Sequence, residues 1–501
     1  MKPDEYELTL AEWEFIKTFL TDRGLPIDVD KTFNDVYIKT RYSKVRSRSE
    51  IYDFSTEIAP GLTLGLPFIM ANMVCVADAK AIVALEREGG LGIPPQMLEL
   101  KTRLEMLDEI GRRDSALIDN PLTIYPDATL EEAKKLMGKR GVSSLIVING
   151  EDRPIGILST RDWMYEADEG KFVGDLMGGK RKLYAAKKGI SFGEAAKILK
   201  RHEIEKLPLL GKNGALAGLI TAHGLFYKHH HPRATRDEKG RFLKVGSVGV
   251  GQYFTAAHMR EVETQVRKGI CLLLIDTARA FSINTKEAVE AVRARFPELP
   301  LMVGNVDCPE GAKALFQWGV DIVKVGIGPG EACRTREVGV GMPQLSAVAK
   351  CAAVARMESV NGKRKYIVAD GGMKNPGDIC KALVAGADAV MSGSLFIGAI
   401  ESAAEANVNK HGLRIKEYVG SASSKAQKER INHGTLVKKR RPEGVSQEMP
   451  VLGTMEEVVE ELVDGMKSTL SFLGAWNIQE LKTRGKFGLQ TSAGLKEGIK
   501  K

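Results

Sequence analysis

Asp321-Ile-Val-Lys-Val-Gly-Ile-Gly-Pro-Gly-Glu-Ala-Cys-Arg-Thr-Arg336 reads as a strand, Asp321–Val325, running into a glycine-rich loop that ends on a thiol. Glycine permits φ > 0 and lets a backbone come close to a ligand. The Gly-x-Gly-Pro-Gly run therefore predicts a loop folded around a bound molecule. Cys333, just past it, is placed to reach that molecule as a nucleophile, since a thiolate needs little beyond a lowered pKa. Thr335 follows two residues on, close enough to handle a water or a proton. Chemistry delivered at the end of a buried strand is the arrangement of parallel α/β enzymes.

The same alternation extends outward in both directions. Strands are predicted at Pro67–Ala71, Leu272–Asp276, Pro300–Gly304, Ile322–Val325, Tyr366–Ala369 and Ala389–Met391. Between them, Thr285–Phe296 and Pro309–Trp318 carry helical period and charge. Strand and helix alternate from about 33 to 100 and again from about 242 to 490. That is the pattern of an α/β fold whose parallel sheet closes as a (β/α)8 TIM barrel, with its site at the C-terminal face. A doubly wound sheet would need a dinucleotide glycine fingerprint, and none is present. Residues 1–30 read as a short amphipathic leader.

Residues 101–235 interrupt the alternation. Two half-units repeat: Pro121–Ala133 through Pro154–Asp162, then Ala185–Leu199 through Leu216–Thr221. Each predicts helix, strand, Gly-turn and strand. The expected division is 1–100 and 236–501 as the two parts of the barrel, with 101–235 inserted. His223 and His229-His-His231 at the exit of the insert have no Cys or carboxylate at ligand spacing, so they read as polar linker rather than metal site.

The chain has 501 residues and a net charge of +9. Its length supports a large core and more than one domain. No apolar run is long enough for a transmembrane helix, and the acidic, polar start is wrong for a secretory signal, so no membrane partner is expected. Six scattered cysteines form no paired or metal-type framework, which fits a reducing cytoplasm. The basic excess suits an enzyme handling anionic nucleotides. Its densest cluster, Lys438-Lys-Arg-Arg441, lacks interleaved aromatics, so no nucleic-acid partner is expected.

The glycine loop resembles the catalytic loop of the IMP dehydrogenase and GMP reductase family. The resemblance continues through Gly339-Val-Gly-Met-Pro-Gln-Leu-Ser-Ala-Val348, Ala369-Asp-Gly-Gly-Met373, Met391-Ser-Gly-Ser-Leu-Phe396, Thr32-Phe-Asn-Asp-Val36 and Arg48-Ser-Glu50. Several motifs in the right order make a strong signal where one alone is weak. The insert resembles the tandem CBS pair that many IMP dehydrogenases carry. There an Asp after the second strand often binds an adenine-nucleotide ribose; Asp162 holds that position, while the second half has Gly224.

The resemblance implies roles residue by residue. Cys333 attacks carbon 2 of a purine nucleoside monophosphate, GMP or IMP, forming a covalent thioimidate. Asp370 binds the ribose diol. Gly371, Gly372, Gly393 and Ser394 hold the phosphate, touched also by Tyr418. Asp276 faces the nicotinamide of NADPH or NAD(H); the stretch Asp276-Thr-Ala-Arg-Ala280 departs from the family's Asp-x-x-(His or Gln)-Gly pattern, and its Arg279 suits a phosphorylated dinucleotide, a reading the family does not force. Carbonyls of Gly328, Gly330 and Cys333 cradle a monovalent cation, potassium, as in the dehydrogenases. A homotetramer, stacking to an octamer through the CBS pairs, is also implied.

This chain departs from the family in instructive places. Glu331 stands where a small residue usually meets the phosphate, so either Arg334 or Arg336 neutralises it or the ligand differs from a simple monophosphate. IMP dehydrogenases activate water with an Arg-Tyr dyad on a flap. Here the comparable flap, Ser421–Arg441, offers Glu429-Arg430-Ile431 and contains no tyrosine. GMP reductases pair the loop Thr with a flap Glu, which Glu429 is placed to replace. Ala71-Asn-Met73, Pro343-Gln-Leu-Ser-Ala347 and Lys467-Ser-Thr469 resemble the reductases, whereas Ser492–Glu497 and the CBS insert resemble the dehydrogenases. The expectation is therefore a GMP reductase with Cys333, Thr335, Glu429 and Arg430 as catalytic group. An IMP dehydrogenase is the alternative, and a non-catalytic nucleotide sensor the third reading.

Overall fold

The computed structural model describes residues 6–113, 116–177, 182–359, 363–420 and 444–498. The flap Ser421–Arg441, with Glu429 and Arg430, lies outside them. The chain divides into two compact units: one of residues 1–110, 233–235 and 243–501, the other of 111–232 and 236–242.

The larger unit is the barrel. Its strands are β1 (Phe68–Met70), β2 (Val245–Val248), β3 (Leu272–Asp276), β4 (Leu301–Val306), β5 (Ile322–Val325), β6 (Tyr366–Asp370) and β7 (Ala389–Ser392). They form one curled parallel sheet in the order β2-β3-β4-β5-β6-β7-β1. The eighth stave is only a bridge. Leu91 pairs in parallel with Ile69, Met70 N–H donates to Leu91 O at 2.8 Å and Leu91 N–H to Phe68 O at 2.9 Å. On its other side, Ser247 Oγ of β2 donates to Pro94 O at 2.6 Å. This closes a (β/α)8 TIM barrel.

Strand periodicity sorts the side chains. Leu272, Leu274, Met302, Ile322, Val368, Ala389 and Met391 turn inward into one buried cluster. The hairpin Thr56–Ala59 and Leu62–Leu64 joins it with Ile58 and Leu64. Residues on the opposite face of each strand, such as Leu273, Val303, Val323 and Ile367, are fully buried under the helices. The strands are apolar on both faces, as a sheet covered by helices requires.

Three helices matter below. Helix α1 (Leu10–Asp22) is the leader, opened by a capping box between Thr9 and Glu12. Helix α2 (Ala79–Glu88) follows β1. Helix α3 (Leu100–Arg112) follows the eighth stave and belongs largely to the barrel. Its Arg103 is buried and donates to Ser247 O at 2.6 Å and Glu261 Oε2 at 2.6 Å. The compact units thus part after Ile110, ten residues later than the sequence expectation, because α3 is the helix that follows the eighth stave.

The smaller unit has two halves. In the first, Thr123–Ile124 and Pro154–Ser159 flank Ser144–Ile148, beneath the helix Leu130–Arg140. In the second, Ala186–Lys187 and Leu216–Thr221 flank Lys206–Leu210, beneath Phe192–Arg201. Both helices start with the same device, Thr129 with Glu132 and Ser191 with Glu194. Each half has its own apolar core. His229 and His230, expected in a linker, lie in the last turn of the helix Ala222–His230. Among the described residues, no group of three His, Cys, Asp or Glu could hold a metal, and no helix is long and apolar enough to cross a membrane.

Candidate active site

The C-terminal mouth of the barrel collects most of the residues singled out in the sequence. The inward period of β3, β5 and β6 ends on Asp276, Lys324 and Asp370, so an apolar interior is topped by a charged layer. Lys324 is 3% exposed. Its ammonium lies 2.6 Å from Asp370 Oδ2 and 3.0 Å from Asp276 Oδ1, and donates to Asn305 Oδ1 at 2.5 Å. Burial alone would lower the lysine's pKa; the two carboxylates outweigh it and hold it above the ordinary value.

The two carboxylates differ in what they have left. Asp370 uses Oδ2 for Lys324 and for Asn305 Nδ2, which donates at 2.8 Å. Its Oδ1 has no partner among the described residues and is available to a hydroxyl pair. Asp276 is engaged on both oxygens: Oδ1 with Lys324, Oδ2 with Asn72 Nδ2 at 3.0 Å and Gln96 Nε2 at 3.2 Å. Gln96 Oε1 is buried with no partner among the described residues, an orphaned acceptor beside Asp276. Arg279 is exposed on the loop after β3.

The loop after β5 carries the thiol. Cys333 Sγ is 3.2 Å from Thr335 Oγ1, and Cys333 N–H donates to Gly330 O at 3.0 Å. All six cysteines are described, and Cys333 alone is exposed. Burial pushes the Cys308 thiol up to about 11 and Cys380 up to about 12, and lifts Cys351 well above its ordinary value. Those three are inert at neutral pH. The chain enters and leaves residues 421–443 beside this thiol. Val445 N–H donates to Ala332 O at 3.1 Å, Cys333 bridges Gly444, and Gly420 N–H donates to Val445 O at 2.9 Å.

Gly371 and Gly372 have φ of +77° and +86°, and the first packs on the Cys loop, where a Cβ would lie 3.2 Å from Gly330 Cα. Gly393 sits under Tyr418; a Cβ there would lie 2.6 Å from the phenol oxygen and 3.0 Å from Met73 Sδ. Tyr418, on the strand Arg414–Val419, is 4% exposed, and among the described residues its hydroxyl finds only Met73 Sδ at 3.5 Å. Burial, with Cys75, Asp370, Glu331 and Cys333 nearby, pushes the phenol well above its ordinary pKa, so it stays a proton donor. Ser394 lies 3.4 Å from Ser392, Oγ to Oγ.

The neutralisation of Glu331 by Arg334 or Arg336 is not seen among the described residues. Arg334 pairs with Glu337 at 3.3 Å. Arg336 donates to Ile327 O at 3.3 Å and Met342 O at 2.5 Å, bracing the loop from behind. Among the described residues neither arginine pairs with Glu331, which is exposed. Sequence reasoning also missed Lys324, Asn305 and Gln96. The signal was available for Lys324: it shares the inward period of Ile322 in a run otherwise apolar, and such a lysine needs partners. In the smaller unit, Asp162 Oδ2 accepts from Ser159 N at 2.7 Å and Oγ at 2.6 Å, so this carboxylate caps its own short helix.

Comparison with known proteins bears on this geometry. The IMP dehydrogenase / GMP reductase domain matches residues 30–500. The inosine-5'-monophosphate dehydrogenase of Aquifex aeolicus is 37% identical over 473 residues, 93% of this chain and 94% of that protein. The Bacillus subtilis enzyme of the same name gives the same identity and coverage. Among solved structures, a GMP reductase of Trypanosoma brucei in complex with guanosine 5'-monophosphate superposes with a TM-score of 0.86 at 32% identity, covering 95% of this chain and 98% of that one.

Proposed function

Because the chain belongs to the IMP dehydrogenase and GMP reductase family, and is thus an NAD(P)-dependent purine nucleotide oxidoreductase, we propose that it is a GMP reductase, converting GMP and NADPH to IMP and ammonia. One observation carries the direction: residues 421–441 contain no tyrosine, and Ile431 follows Arg430. A branched alkyl chain cannot take a proton from water, so the dyad that activates water for the step yielding XMP lacks its phenol. The likeness to a GMP reductase holding GMP supports the same direction. The names of the full-length sequence relatives favour the alternative, IMP dehydrogenase.

In this reading the thiolate of Cys333 adds to purine C2, and the C2–N bond breaks as ammonia departs. Thr335, 3.2 Å from the sulfur, relays the proton, with Glu429 and Arg430 completing the group from the flap. Asp370 Oδ1 receives the ribose diol. Tyr418 donates to the phosphate, beside Gly393, Ser394 and the amides of Gly371 and Gly372. Bound NADPH supplies the hydride that replaces sulfur at C2. The residues present fit its nicotinamide, since the orphaned Gln96 Oε1 offers an acceptor for a carboxamide N–H, and exposed Arg279 can meet a phosphate. The carbonyls of Gly328, Gly330 and Cys333 would be the ones to hold a monovalent cation, and Gly330 O, which accepts the Cys333 amide, keeps a second lone pair for it; we derive no step through a cation. We assign Asp162 and the smaller unit to binding of an adenine nucleotide, through the carboxylate oxygen not used in capping.

Absorbance at 340 nm tests the reading. It should fall when GMP and NADPH are added, with ammonia released, and Cys333→Ala should abolish the fall while GMP still binds. A rise with IMP and NAD, and no response to GMP, would establish the dehydrogenase instead.

A further inference from the structure

Lys324 lies in the polar layer of an otherwise apolar barrel, and the activity proposed above gives it no task. Its ammonium has three protons to donate. Three acceptors face them: Asn305 Oδ1 at 2.5 Å, Asp370 Oδ2 at 2.6 Å and Asp276 Oδ1 at 3.0 Å. The strand position opposite is shaped for it. Gly304 pairs with Lys324 across β4 and β5, and a Cβ on that glycine would lie 2.4 Å from Lys324 Cβ. With the side chain 4% exposed, water does little to screen either carboxylate from the shared charge. One cation is divided between two anions, so a change in the demand of one is felt at the other.

We propose that Lys324 is a positioning residue that links the two ligand halves of the mouth: events at Asp276, on the dinucleotide side, change how firmly Asp370 is held for the ribose of the purine nucleotide. The inference rests on the roles given above to Asp370 and Asp276. A hydroxyl that donates to Asp276 lessens that carboxylate's need for the ammonium. Lys324 then settles on Asp370 Oδ2, and Oδ1 is fixed before the nucleotide arrives, which removes an ordering cost from binding. By linkage, a nucleotide on Asp370 changes dinucleotide affinity by the same factor.

Calorimetric titration of GMP into the full chain, with no dinucleotide present, tests this. Asp276→Asn removes the competing charge and should tighten GMP binding about five-fold or more, although no contact between Asp276 and GMP is proposed. In a Lys324→Met background the same change should leave the GMP Kd within about two-fold, closing a double-mutant cycle on the linkage. An unchanged Kd in Asp276→Asn, or an equal shift with and without Lys324, overturns the proposal. Lys324→Gln keeps donors without the charge and closes the cycle should the methionine variant not fold. Asp370→Asn separates the two ideas: if it leaves GMP affinity intact, the assignment of the ribose site has failed rather than the linkage.

Discussion

At the scale of single residues, the hydroxyl of Tyr418 has only a weak partner among the described residues. The ring is buried, its oxygen rests on a thioether, a weak acceptor, and the phenol stays protonated across the working range. A buried hydroxyl with so poor a partner contributes little to folding. Tyr418→Phe should therefore cost less than about 1 kcal/mol of stability, read by urea titration. If the hydroxyl instead donates to a phosphate dianion, the same change loses a charge-assisted hydrogen bond of about 1.5–3 kcal/mol. GMP affinity should then fall by about ten-fold or more, with stability nearly unchanged. A variant that unfolds as readily as it loses ligand would make Tyr418 a core residue only. The sequence showed the tyrosine by its place in Glu-Tyr-Val-Gly. That it lies over Gly393, 25 residues away in the chain, is a property of the fold alone.

At the scale of elements, the loops after β5 and β6 work as one piece. The left-handed backbone at Gly371 brings that loop against Gly330, three residues before the thiol. Gly371→Ala adds about 1–2 kcal/mol of backbone strain and a Cβ that Gly330 must yield to. The expected outcome is a lowered unfolding midpoint of that order and a fall in kcat, since displacing the loop moves Cys333. A variant with lowered stability and unaltered kcat would mean that the two loops are mechanically independent. Most barrel strands were legible because both their faces are apolar. Leu272–Asp276 and Ile322–Val325 have the observed bounds, and Tyr366–Ala369 and Ala389–Met391 each run one residue longer. Val245–Val248 was not, since Gly246-Ser247 breaks its apolar run. The eighth stave was not either, because Gly90-Leu-Gly-Ile-Pro-Pro reads as a turn and makes a single bridge. At the barrel mouth, the thiol Cys333, the carboxylate Asp370 and the glycines were legible as motifs. The Lys324 network was not, because it joins strand ends that are distant in sequence.

At the scale of the whole molecule, one buried carboxyl ties stability to pH. Glu88 ends α2, where the helix C-terminus disfavours negative charge, and it is 7% exposed. Burial, reinforced by Glu456 and Glu460, raises its pKa to about 7; Arg233 and Arg87 oppose the shift without cancelling it. Arg233 is itself paired with Glu460. The folded state therefore binds this proton more tightly than the unfolded chain, where the group titrates near its ordinary 4.5. Its contribution is fully present below that value and is lost as pH rises through about 7, on the order of 3 kcal/mol across the window. Glu88→Gln replaces the ionising group with a neutral one of the same shape. The variant should match the parent near pH 4 and exceed it in unfolding free energy near pH 8.5, with the difference opening between about pH 4.5 and 7. Parallel stability curves across that range would show that Arg233 and Arg87 keep Glu88 ionised in the folded state. The charge would then be part of the architecture at the point where the chain re-enters the barrel after residue 232.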